Sequence, residues 1–187
     1  QRLIEIGGDS LKIDGRTKSP YYVARTRQAY RRAIEDAKAG RAFNPLLIGE
    51  LEGLANRGYT DGFYQRHHDA DTQNYLRGYS ESGRSQYVGT TEWDNERQAL
   101  KIIVRNRFAV GDWLEVIHPK GNRILQIKHM RGREQQLVEV APGDGHIVWM
   151  DDAEWSADCA GAFLARLHDT PTAEMISASL SATRADK

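Results

Sequence analysis

Ser10-Leu11-Lys12-Ile13-Asp14-Gly15-Arg16-Thr17-Lys18-Ser19-Pro20-Tyr21-Tyr22 reads as a short strand, a basic glycine turn and a helix start. Leu11 and Ile13 supply the apolar strand positions, and Gly15 punctuates them. Ser19 can cap a helix while Pro20 occupies its first turn, where a missing N–H costs nothing. Alternation places Lys12 and Asp14 on the side of the strand opposite Leu11 and Ile13. In a parallel α/β protein the strand-to-helix edge is where ligands bind, and a helix N-terminus favours anions there. Lys12, Asp14, Gly15, Arg16 and Lys18 are therefore the candidate substrate-binding cluster, an anion clamp for a dicarboxylate or a phosphate. Arg16 offers it a bidentate fork. The alternative is a structural ion pair.

Working outward, residues 1–40 read as the last strand and helix of an α/β domain. Tyr22, Val23, Thr26, Ala29, Tyr30, Ala33, Ile34 and Ala37 recur at three and four, predicting a helix over 21–39 that ends at Gly40. Arg25, Arg31, Arg32 and Lys38 fall on its other face, with Arg32 and Asp36 placed to pair. Asn44-Pro45 opens a second helix to about residue 56. It belongs to a connector, residues 41–83, that is rich in aromatics. A lone terminal strand and helix cannot bury both strand faces, so the expectation is the C-terminal part of a longer protein.

Beyond residue 84 the pattern changes to short strands separated by turns. Candidates are 86–90, 99–106, 113–118, 123–130, 137–140 and 146–150; residues 160–167 have helix-forming composition, yet a closed barrel wants a returning strand there, so strand is favoured and helix is the alternative. Leu100, Ile102, Val104, Leu114, Val116, Leu125 and Ile127 are the expected core. Such spacing predicts a small closed antiparallel barrel over 84–168. The Ser/Ala/Thr-rich end, 169–187, reads as a mobile tail. The fold class is thus α+β.

A formal net charge of zero conceals segregation. Residues 12–41 and 101–133 each carry a net +6, and 139–158 carry −6. Separated blocks of this kind suggest a polyanion partner, while solvated faces of ordinary elements would produce the same counts. Lys101, Arg105, Arg107, Lys120, Arg123, Lys128, Arg131 and Arg133 make up the second block and are the candidate RNA-binding residues. No apolar run approaches a membrane span and nothing resembles a signal peptide, which fits a cytoplasmic protein with no membrane partner. DNA is not an expected partner.

Catalytic residues are not identifiable. His67-His68-Asp69-Ala70-Asp71 matches no standard metal spacing and reads as a polar loop, so no metal site is expected. Cys159 is the one cysteine, which rules out an internal disulfide. With no evident cation to activate it, a buried or idle thiol is the better reading. Gly7-Gly8-Asp9 reads as a turn.

The segments "LKIDGRTKSPYYVARTRQAYRRAI", "LEGLANRGYTDGF", "QNYLRGYS", "VGDWLEVIHPKGNRI" and "VAPGDGHIVWM" occur in one order over roughly residues 11–150. Together they resemble the collagenase-like peptidase family U-32, whose catalytic barrel closes on a Leu-Lys-Ile-Glu-Gly-Arg motif. Asp14 stands where most members carry Glu, so its carboxylate reaches one methylene less far. The resemblance implies a terminal βα unit of a (β/α) barrel, a helical connector, and a β-barrel like the second domains of translation factors. It also implies a parent acting in tRNA uridine 5-hydroxylation, with the barrel as an accessory domain for RNA or substrate and the N-terminal catalytic domain as its partner. A collagenase-like protease and a protein-docking module are the alternatives. Family members are thought to carry an iron–sulfur cluster on four cysteines. This stretch has one cysteine, so no cofactor is expected in it and the ligands would lie in the rest of the parent.

Overall fold

The computed structural model describes residues 2–52, 54 and 85–182. The chain forms two compact units, Gln1–Arg84 and Ser85–Lys187. Residues 55–84, which hold most of the connector's aromatics and the His67–His68 pair, lie outside the described residues.

In the first unit, α1 (Arg2–Glu5) is one turn, α2 (Pro20–Lys38) is the long helix and α3 (Leu46–Glu52) follows it. Ser19 caps α2 in extended conformation, its hydroxyl accepting from the Tyr22 N–H at 3.2 Å, with Pro20 next in line. The helix ends where Gly40 takes φ +69°, a conformation that side chains with a Cβ resist. Two readings of this helix change. The i,i+4 pair is Arg31–Glu35 at 2.6 Å, while Arg32 crosses to Glu50 of α3 at 2.6 Å. Arg25, placed on the polar face by its charge, is buried beside Tyr21, Thr26 and Ala29.

The strand expected at Leu11–Ile13 is not formed. Both side chains are exposed, and no strand of the first unit lies among the described residues to pair with them. A strand's N–H and C=O groups need a neighbour, so apolar alternation alone cannot make one. Of the βα unit expected here, the described residues form the helix and the turn before it.

The second unit is a curled antiparallel sheet. Its strands are β1 (Ser85–Asp94), β2 (Ala99–Val104), β3 (Phe108–Ala109), β4 (Trp113–Ile117), β5 (Arg123–Gln126), β6 (Val140–Ala141), β7 (Ile147–Met150) and β8 (Phe163–Leu167). Six of them run in the order β5-β4-β8-β1-β2-β7, and β3 pairs with β6 separately. The expected full barrel is thus a half-barrel. Its two edges meet at one residue pair, Arg131 and Trp149, which exchange backbone hydrogen bonds of 2.9 Å each. Beyond Gln126 the chain keeps only two backbone bonds to the start of β4, through Ile127, before reaching that pair. The strand expected at 137–140 shrinks to Val140–Ala141, and 160–167 is a strand over its second part.

Register explains the core. Leu100, Ile102 and Val104 of β2 point inward with Leu114 and Val116 of β4, Leu125 and Ile127, and all seven are buried. Phe108, Met130, Met150, Trp155 and Leu164 complete the cluster. At Gly89 of β1 an added Cβ would collide with the backbone carbonyl oxygen of Ile103 on the paired strand β2, so glycine is required there. In the β1–β2 turn, Asp94 accepts from the N–H groups of Glu96 and Arg97 at 3.0 Å each. The end of the chain, expected to be mobile, instead carries α4 (Ala173–Ala182). Ser179 accepts from the Ile124 N–H at 3.1 Å, covering part of the β5 edge.

Candidate anion-binding surfaces

The predicted clamp is local and exposed. Arg16 forks onto Asp14, Nη2 donating to Oδ2 at 2.8 Å and Nε to Oδ1 at 3.2 Å, while the Arg16 backbone N–H adds a third bond to Oδ1 at 3.2 Å. These bonds hold the Asp14 carboxyl below the usual range, the Arg16 side chain contributing most. Lys18 sits 5.0 Å from the centre of the Tyr22 ring, and its N–H closes the turn on the Gly15 carbonyl at 3.0 Å. A Cβ at Gly15 would meet Val23 Cγ2 at 2.7 Å, so any larger residue there has to displace the Val23 side chain. Lys12 is exposed with no side-chain partner among the described residues. The turn therefore gathers the predicted residues, but Asp14 occupies the guanidinium fork that a ligand would use. A hollow among the described residues of this unit lies elsewhere, an open space of about 530 Å³ lined by Arg2, Leu3, Glu5 and Phe43.

In the second unit the acidic block folds onto the basic one. Lys101 pairs with Glu92, its register neighbour on β1, at 3.0 Å. Arg105 pairs with Asp144 at 2.7 Å, Lys128 with Glu154 at 2.9 Å and Arg131 with Asp151 at 2.7 Å. Arg123 donates to Cys159 Sγ at 2.6 Å. Arg107, Lys120 and Arg133 are exposed, and no side-chain partner is found for them among the described residues. Segregation along the sequence thus becomes pairing in space, and the eight cations are not one bare basic face.

Cys159 is buried, and burial pushes its thiol up despite the adjacent Arg123 charge. A buried neutral thiol is a poor nucleophile. No three metal-binding side chains converge among the described residues.

Sequence reasoning missed two features. Trp149 donates through Nε1 to Asp94 at 2.8 Å and lies under the Arg97 guanidinium, 4.0 Å from the ring centre. His129 meets Asp151 at 2.6 Å beside Arg131. Both join residues 20 or more apart in sequence, which no local pattern marks.

Two family models match in tandem: "Peptidase family U32" over residues 1–74 and "Peptidase family U32 C-terminal domain" over 83–166. The chain belongs to peptidase family U32. It is 49% identical over 150 residues to a protein of Escherichia coli (strain K12) named "tRNA hydroxylation protein P", covering 80% of this chain and 33% of that one. A protein of the same name from Haemophilus influenzae is 47% identical over 152 residues, covering 81% of this chain and 33% of its own length. The U32 chain thus spans about a third of these relatives. The solved C-terminal domain of a Geobacillus thermoleovorans putative U32 peptidase aligns with 19% identity and a TM-score of 0.37, covering 43% of this chain and 98% of that one.

Proposed function

We propose that the whole protein acts in tRNA hydroxylation, at uridine C5, in the cytoplasm. In this reading Ser85–Lys187 serves as an accessory domain that holds RNA beside an N-terminal catalytic domain. What supports this most is the 49% identity over 80% of the chain to a protein named for tRNA hydroxylation. The hydroxylation chemistry is assigned to the rest of the protein, as are any iron–sulfur ligands.

The turn from Lys12 to Lys18 is proposed as one wall of the substrate site. An anionic ligand group there takes the place of Asp14 on the Arg16 fork, and Lys12 and Lys18 add charge. The peptidase reading draws on the family's name. Cys159, buried and without an activated thiol, is no candidate nucleophile for it, and the test of that reading lies in the rest of the protein.

Complementation tests the proposal. The intact protein is expressed in a bacterium lacking its own U32 proteins, and tRNA nucleosides are measured by mass spectrometry. Hydroxylated uridine should return with the wild type and fall with Arg16→Lys, which keeps charge but loses the planar fork. Accumulation of intact protein without any hydroxylated uridine would sink the functional reading. Full activity of Arg16→Ala would reduce the Lys12–Lys18 turn to scaffolding.

A further inference from the structure

We propose that the β2–β3 connector, Arg105-Asn106-Arg107, is the element of the second unit that grips the RNA sugar-phosphate backbone. The inference rests on the tRNA reading above and narrows it to two guanidinium groups. Of the other six predicted cations, Lys101 pairs with Glu92, Arg123 with Cys159 and Arg131 with Asp151, each with a partly shielded member, while Lys128 pairs with Glu154 as openly as Arg105 does with Asp144 but has no second cation beside it. Lys120 and Arg133 lie singly in separate turns. Among the described residues of this unit, the connector brings two available guanidiniums within three residues, whereas Arg131, two residues from Arg133, is held by Asp151 and the Gln135 carbonyl.

Arg107 is exposed and has no side-chain partner among the described residues. Arg105 has Asp144, but that pair is open to water, with 54% and 67% of the two side chains exposed. Such a pair is worth little, so a phosphate can displace the carboxylate at small cost. The connector is nevertheless held in place. The Arg105 and Asn106 N–H groups both donate to the Val88 carbonyl, at 2.8 and 3.2 Å, and Asn106 Nδ2 donates to the Tyr87 carbonyl at 2.8 Å. Three bonds to β1 fix the backbone from which both arginines project, so binding orders side chains but not a loop. Guanidinium forks match phosphate oxygens bidentately, and a phosphate backbone supplies successive sites at short spacing.

Filter binding of the 187-residue chain to an unmodified tRNA transcript, titrated with salt, provides the test. Each phosphate contact contributes close to one unit of slope in log affinity against log salt. Arg105→Ala/Arg107→Ala should weaken binding about tenfold at low salt and flatten that slope by about 2. Lys101→Ala should change little. Asp144→Asn should tighten binding a few-fold by releasing Arg105, a gain that misfolding cannot mimic. Wild-type affinity in the double arginine variant, or weaker binding in Asp144→Asn, would overturn the proposal. So would no binding of the wild-type chain at low salt, and so would equal binding to polyglutamate, which would assign the doublet to acidic surfaces in general. All of these leave the complementation result untouched, so the grip can fail while the hydroxylation reading stands.

Discussion

His118 shows how one side chain ties turn geometry to pH. It closes the β4–β5 turn by accepting the Lys120 N–H on Nδ1 at 3.1 Å, a bond available only to the neutral ring. Burial, then the Lys120 charge, hold its pKa below the ordinary 6.5, against a hydrogen bond with the Ala160 backbone that favours the charged ring. The unfolded chain therefore takes up a proton before the folded one does. This contribution is complete above pH 6.5 and is lost as pH falls through the depressed folded value. Melting temperature should drop more steeply below pH 6.5 in the wild type than in His118→Gln; equal slopes in the two proteins would discount the residue. At this scale local patterns were legible. Ser19 caps as its neighbours suggest, and Asp14 and Arg16, two apart, do meet. Lys120 beside His118 was visible too, but the burial that sets the direction of the shift was not.

Elements were legible where alternation had a partner to pack against. Leu100, Ile102 and Val104 alternate with Lys101 and Ile103, and the inward set is fully buried because β1 and β7 flank β2 on both sides. Leu11 and Ile13 alternate as well, yet stay exposed, with no flanking strand among the described residues of the first unit. The pattern is necessary for a strand, and the ladder makes it sufficient. α4 escaped notice because small residues carry no strong period, and its place is set by the β5 edge it covers. Burial makes the magnitude predictable. Ile102→Ala or Val116→Ala removes methyl groups from closely packed surroundings and should cost about 2–4 kcal/mol in denaturant melts of the chain. A loss under about 1 kcal/mol at Ile102 would mean that the sheet relaxes around the gap and that its interior is loosely filled.

At the scale of the molecule, charge and core lead to different conclusions about organisation. Opposite blocks along the sequence suggested a bare basic face, but Asp144, Asp151 and Glu154 fold back onto Arg105, Arg131 and Lys128. Pairing across 20 to 39 residues is a product of the half-barrel's closure and has no local signature. The hydrophobic cluster, in contrast, draws on residues from Val88 to Leu164 alone, all within the second unit. A unit with its own core can fold alone. Ser85–Lys187 expressed by itself should therefore give dispersed amide resonances and a single cooperative melt, with strong hydrogen-exchange protection at the inward positions of β1, β2, β4 and β8. The Arg131 and Trp149 amides should exchange faster than those of β1, which is paired on both sides, since one pair of hydrogen bonds holds the two edges together. Collapsed amide dispersion in that segment would show that the half-barrel depends on the first unit. Equal protection at Arg131 and in β1 would show instead that its closure is as firm as the sheet itself.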